Sequence, residues 1–308
     1  MNVGFIDYYL DEWHANHYPQ LLQQKSDGRL KVAYAYGKID SPITGKTSKQ
    51  WCQEFGVQHC ETVEEVVEKS DVLIVLSPDN CEMHEELCQK PLMSGKRTYV
   101  DKTFAPDQKT AEAIFKVAEA HNTPCYSTSA LRFASEYEAL KGKKIQAAAF
   151  WGPYDLETYS IHQLEPMIML MQGNVKRVLA QQSGDWTQIC LEWSDGRAAS
   201  LTCTGKDGAF WANIDLEQEN RTFQITSDNF GAFIENLVAF LEGEDIPVTH
   251  SETVRIMAVR EACLKASDSR DSGLSYKAHW GRKLNGEPVR AAGQKLPVFS
   301  WSCMIIFF

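Results

Sequence analysis

Apolar positions in the first 130 residues come in short runs, set apart by stretches with helical spacing. The runs occupy 3–7, 30–36, 71–76, 97–100 and 125–128. The run at 71–76 is almost wholly aliphatic, the pattern of a strand buried on both faces of a parallel sheet. Between the runs, helices are predicted up to about residue 24, over 48–55, over 62–68, after the turn at 77–80 with His84, Leu87 and Cys88 on one face and an end near Gly95, and over 106–120. In the last of these Ala111, Ile114, Phe115, Val117 and Ala118 are expected to face inward. Thr62 and Glu65 have the spacing of a capping box. Alternating strand and helix predicts an α/β fold with a doubly wound parallel sheet.

The second half changes character. Strand-like runs follow one another at 147–151, 176–182, 187–193, 198–204, 212–217 and 222–226, with hairpin-type turns expected at 194–196 and 206–208. Two amphipathic helices follow at 230–241 and 252–266. An apolar helix is also predicted after residue 159, with Pro166 expected in its first turn. Runs of strands followed by helices predict an α+β domain with a mostly antiparallel sheet. The boundary is expected near Thr128, giving domains 1–128 and 129–308. Trp193, Phe210 and Trp211 are expected on the open face of the second sheet.

A chain of 308 residues is long enough for two cores. A net charge of −10 argues against a nucleic-acid partner, since phosphate binding needs a basic face. Nine cysteines without a C-x-x-C pair read as reduced thiols of a cytoplasmic protein. The first residues lack a basic segment and a long apolar core, so no secretory leader is predicted. No apolar run reaches the ~20 residues of a membrane span. The apolar end, 298–308, is too short for one and is expected to pack on the protein or a partner subunit.

Chemistry gathers at the predicted strand ends. Ligands of open parallel sheets sit at the carboxyl ends of the strands, which here means 77–80 and Asp101–Lys102. The turn after the first strand does not carry G-x-G-x-x-G: Asp7, Tyr9 and Glu12 replace the three glycines. Those side chains should block close approach to a pyrophosphate, with Tyr8 and Tyr9 filling its space and the acids turned toward solvent or a helix N-terminus. Tyr36, Gly37 and Lys38 stand where an acidic ribose ligand is usual. Gly45, Lys46 and Thr47 mimic a P-loop ending, but Asp40 stands in place of its first glycine. His14 and His17 lie three residues apart without a visible third ligand; structural roles are expected and no metal site is predicted.

The stretch from Ser77 to Thr103 resembles the glucose–fructose oxidoreductase / inositol dehydrogenase (Gfo/Idh/MocA) family. That family's pattern runs T-P-N, His, helix, A-G-K, strand and E-K-P. Ser77, Pro78, His84, Gly95, Lys96 and Lys102 match it, while Asp101 and Thr103 replace Glu and Pro and two extra residues lie between Pro78 and His84. Arg132, Phe133, Tyr137, Leu140 and Lys141 resemble its interdomain helix. His162 and Glu165 resemble its D-x-x-x-H-x-x-D motif, with Thr158 at the first position. The resemblance implies a Rossmann-like domain followed by a substrate and oligomerisation domain, and an NAD- or NADP-dependent oxidoreductase of a sugar, polyol or related alcohol. It implies Lys102 and His162 as catalytic residues. Asp7, Tyr36, Ser77, Pro78, Asn80 and Asp101 would lie toward the cofactor, and Arg132 and Glu165 toward the substrate. It also implies a homodimer or homotetramer. The lost glycines favour an alternative, a metabolite-binding or regulatory member without cofactor.

Overall fold

The computed structural model describes residues 1–269 and the backbone of 276–277. In the first half the strands are β1 (Asn2–Asp7), β2 (Lys31–Gly37), β3 (Gln58–His59), β4 (Val72–Val75), β5 (Thr98–Val100) and β6 (Cys125–Tyr126). The helices between them are α1 (Trp13–Lys25), α2 (Ser48–Phe55), α3 (Val63–Lys69), the short α4 (His84–Leu87) and α5 (Gln89–Met93), and α6 (Gln108–Ala120). All the pairings are parallel, in the order β3-β2-β1-β4-β5-β6. This is the doubly wound order. Strand order reverses between β1 and β4, and the crevice of such a sheet opens at that point.

Local chemistry explains the element ends. Thr47 and Gln50 form a reciprocal capping box on α2, so the P-loop mimic is a helix start. Thr62 caps α3 through the Glu65 N–H at 3.2 Å, but Glu65 accepts from the Glu61 N–H, so the expected box is only half made. The helix expected after Ser77 is broken into α4, α5 and a preceding 3-10 turn, Cys81–Met83.

Beyond Tyr126 come the 3-10 turn Ala130–Phe133 and the short α7 (Ser135–Glu138). A second sheet follows with β7 (Ile145–Gly152), β8 (Val175–Ser183), β9 (Trp186–Trp193), β10 (Ala198–Cys203), β11 (Trp211–Leu216), β12 (Asn220–Gln224) and β13 (Tyr276–Lys277). Its helices are α8 (Ile161–Met171), α9 (Asn229–Leu241) and α10 (His250–Asp268). The order is β12-β11-β7-β10-β9-β8-β13, antiparallel except for β7 with β10. Residues 194–196 make the expected hairpin between β9 and β10, with Gly196 at φ 90°. Residues 206–208 do not make one, because β7 lies between β10 and β11 and the chain crosses over it. Trp193 is buried, its indole N–H donating to the Gln172 carbonyl at 2.6 Å. Odd positions of β9 face inward, so Trp186 stands on the open face, beside Trp151 and Trp211.

Helix α9 returns to the first sheet. Phe233, Ile234, Leu237 and Phe240 join the core that holds Phe5, Tyr18, Ile74 and Tyr99. Phe233 meets the rings of Tyr99 at 5.6 Å and Tyr18 at 6.1 Å. Arg97, just before β5, donates to the carbonyls of Phe240, Gly243 and Glu244 at the C-terminal end of α9, at 2.7–2.9 Å. A cation there satisfies orphan carbonyls and complements the helix dipole. No helix among the described residues is long and apolar enough to cross a membrane. The 298–308 stretch lies outside the described residues.

Because Phe233 fills a fully buried position between sheet and helix, Phe233→Ala should cost about 3–5 kcal/mol. Urea unfolding followed by circular dichroism measures it; a loss under about 1 kcal/mol would show that α9 is not part of this core.

Candidate functional site

A cavity of about 460 Å³ opens at the switch point. The loops after β1, β4 and β5 supply one side of it, and α8, α9 and the 128–131 segment the other. Trp13, Phe210, Phe230 and Phe233 form an aromatic wall. Gly152, at the end of β7, makes room for Phe210: a Cβ there would come within 2.7 Å of its ring.

Of the residues expected from sequence, Pro78, Asp101, Lys102 and His162 line this cavity together. Lys102 follows β5 and is 8% exposed, its ammonium 3.4 Å from the Pro78 carbonyl oxygen and 4.0 Å from Asp79. His162 stands in the first turn of α8, with Nδ1 2.6 Å from the Ser129 hydroxyl. That hydroxyl does the orienting for which the sequence offered no acid; Asp155 instead bonds Thr158. Pro166 lies in the second turn of α8, not the first. It removes the N–H that would have bonded the His162 carbonyl.

The other candidates lie elsewhere. Tyr36 ends β2 away from the cavity. Ser77, at φ 81°, and Asn80 stabilise their own turn, with the Ser77 hydroxyl 3.3 Å from the Asn80 carbonyl. Arg132 and Glu165 were expected against substrate, and the structure places them behind the cavity wall. Arg132 pairs with Glu252 and lies 3.7 Å from Glu165, which accepts from the Thr128 hydroxyl at 2.8 Å. Both are buried, and buried charges need partners of this kind. Asp7 is 1% exposed and does not turn toward solvent; one carboxylate oxygen has no hydrogen-bond partner.

Sequence reasoning missed an Asp–His pair. Asp101, fully buried, contacts His14 Nδ1 from the first turn of α1. The Tyr99 hydroxyl is 3.1 Å from the other carboxylate oxygen, which also accepts the Lys102 N–H at 2.9 Å. Burial alone would raise the Asp101 carboxyl; His14, Lys102 and the backbone outweigh it and hold it below the usual range. Asp101 engages His14 through Nδ1, so Nε2 takes no part in that pair. His17 stacks on Trp13 at 4.2 Å and bonds its carbonyl oxygen. No group of ligands for a metal occurs among the described residues.

His162 departs from the expected base. Desolvation, with the Lys102 ammonium nearby, pushes its imidazole down to about 3. It is therefore neutral at physiological pH and a weak proton acceptor. The His14–Asp101 pair lines the same cavity. Its spacing gave no local signal, because the partners are 87 residues apart.

The β1–α1 turn does not fit a dinucleotide pyrophosphate. Glu12 caps α1 with its own carboxylate, accepting from the His14 N–H at 2.7 Å and from the Ala15 N–H. Tyr9, in place of the second glycine, is buried. The expectation that an acid would turn to a helix N-terminus holds for Glu12.

Residues 15–129 match the model of the Gfo/Idh/MocA family, described as an oxidoreductase family with an NAD-binding Rossmann fold. This bears out the resemblance read from the sequence, and the match begins just after the altered turn. Similar solved structures include a probable dehydrogenase from Thermotoga maritima, with a TM-score of 0.73, 13% identity, and 90% of this chain and 99% of that one covered. An apo scyllo-inositol dehydrogenase from Lactobacillus casei gives 0.70, 15%, 90% and 98%. The WlbA dehydrogenase from Bordetella pertussis, in complex with NADH and UDP-GlcNAcA, gives 0.69, 13%, 91% and 99%. At such identities the likeness shows the fold. A sequence search of curated proteins gives no match.

The Asp7 carboxyl is raised well above its usual range, by burial first and then by Glu12 and Asp101. A raised carboxyl contributes stability that is complete below its unfolded value and lost as pH rises through its folded value. His162 and His84, both lowered, pull the opposite way, so a difference between variants isolates Asp7. The Tm of Asp7→Asn should match wild type below about pH 4 and exceed it increasingly as pH rises toward about pH 8. A Tm difference independent of pH would show that Asp7 is not held protonated.

Proposed function

We propose that this chain is an oxidoreductase-type enzyme acting on a carbinol of a sugar, polyol or related small alcohol, bound in the crevice between the two sheets. The observation that carries the reading is the convergence of Lys102, His162 and the His14–Asp101 pair on one cavity with an aromatic wall. An alcohol seated there would meet the Lys102 ammonium, which stabilises developing alkoxide charge. His14 Nε2 is suited to accept the hydroxyl proton, while Asp101 offsets the imidazolium that forms. Neutral His162, held by Ser129, orients the hydroxyl by hydrogen bonding. The aromatic wall excludes water and covers the apolar face of a ring. The family description implies NAD or NADP as redox partner.

The Glu12 cap favours a second reading, a protein that binds the same metabolites without redox turnover. One panel separates the two. Thermal shift with sugars and polyols reports binding, since a ligand of the native state raises Tm, and nicotinamide absorbance reports turnover. Lys102→Ala should lower kcat by about 10². His14→Gln should lower it comparably. Turnover unchanged in both variants would reject the proposed roles. Binding without turnover would select the second reading.

The open face of the second sheet is proposed as a self-association surface, giving a homodimer or homotetramer. Trp151, Trp186 and Trp211 are 41%, 45% and 44% exposed on it, and an apolar patch of this kind calls for a partner. Light scattering should give a multiple of the chain mass, and Trp186→Glu should shift it toward monomer. A monomeric wild type at micromolar concentration would reject the surface.

A further inference from the structure

The altered first turn is held by two acids pointing in different directions. Asp11 faces the loop after β2: its carboxylate accepts from the Thr44 hydroxyl at 2.5 Å and from the Lys46 ammonium at 3.1 Å. The Lys38 and Ile39 N–H groups donate to the Asp7 and Tyr8 carbonyls at 3.0 and 2.9 Å. The β1–β2 pairing thus runs past the end of the strands, and the 38–47 loop is strapped over the turn. Glu12 faces the other way, onto α1. Its side chain is 7% exposed and takes the N–H groups of His14 and Ala15.

First-turn N–H groups have no partner within the helix, and they are the donors that a dinucleotide fold offers to a pyrophosphate. In this chain they are already spent on a carboxylate. A phosphate entering this position would lose those donors and come near the Asp101 charge, which already acts on Glu12. Glu12 has an extended backbone, φ −131° and ψ 172°, which any residue adopts. The plug is therefore a property of the side chain and can be removed without refolding the turn.

We infer that the Glu12 carboxylate is an internal ligand occupying the pyrophosphate position at the N-terminus of α1, and that a dinucleotide takes that position only by displacing it. The nicotinamide end of the crevice is open, and the phosphate end is filled by the chain itself.

Calorimetric titration of NADH and NADPH into the full chain tests this. Wild type should bind with a Kd of roughly 100 μM or weaker. Glu12→Gly restores a small residue at the third fingerprint position, and Glu12→Ser keeps a short cap on the helix; either cap is tolerated at an N-cap. Each should bind at least one of the two nucleotides about tenfold more tightly than wild type does. Far-ultraviolet circular dichroism establishes that the variants are folded. Low-micromolar binding by wild type would overturn the inference, because the plug would not then exclude the phosphates. It would also be overturned if folded Glu12→Gly and Glu12→Ser showed no gain, including the case in which nothing binds. The outcome is separate from the enzyme assignment: a gain in the variants without carbinol turnover would leave the plug standing and remove the oxidoreductase reading.

Discussion

The crevice depends on one buried charge. Asp101 sits at the end of β5 with no exposure to solvent, and a carboxylate there is tolerated only if every approach is answered by a donor. His14 answers from α1, Tyr99 from the same strand, and Lys102 from its own backbone. The Asp101 carbonyl is bonded by the Ser127 hydroxyl, 3.2 Å away, just past β6. One residue therefore fixes the relative position of α1, β5 and the segment leaving β6. Those three elements frame the cavity.

A second consequence is a division of roles between two histidines. His14 has a carboxylate partner that accommodates a positive charge, whereas His162 has a hydroxyl partner and an ammonium neighbour that oppose one. Two imidazoles in one cavity thereby sit among different partners, and in the proposed reaction they would serve different ends. Lys102 takes part in both, as the nearby charge that lowers His162 and as a stabiliser of Asp101.

The same acids that organise the crevice oppose its phosphate end. Glu12 is raised to about 7, chiefly by burial, against the opposing pull of His14 and the helix N–H groups. Asp7 is raised as well, again chiefly by burial. A turn that once needs glycine for close backbone approach is here filled with side chains, and its donors are satisfied internally. The fold retains the architecture of a dinucleotide domain while the donors of its first turn are taken by its own side chain.

The sequence by itself determined most of the element order, the doubly wound first sheet, the mostly antiparallel second sheet and the place of Lys102 at a strand end. These follow from periodicities of two and 3.6 residues, which are local and readable in one chain. It also located the altered turn, since missing glycines are visible without coordinates. Only tertiary structure decided which acid met which donor. Asp101 and His14 are 87 residues apart, and α9 comes back to the first sheet across the second. Arg132 and Glu165 had the right types for substrate contact, yet buried charges pair first with whatever lies within reach, and that was each other and Glu252. Trp193 and Trp186 differ by one step of strand parity, which a sequence pattern gives only up to the choice of face. The choice was made by the helices that packed beneath the sheet.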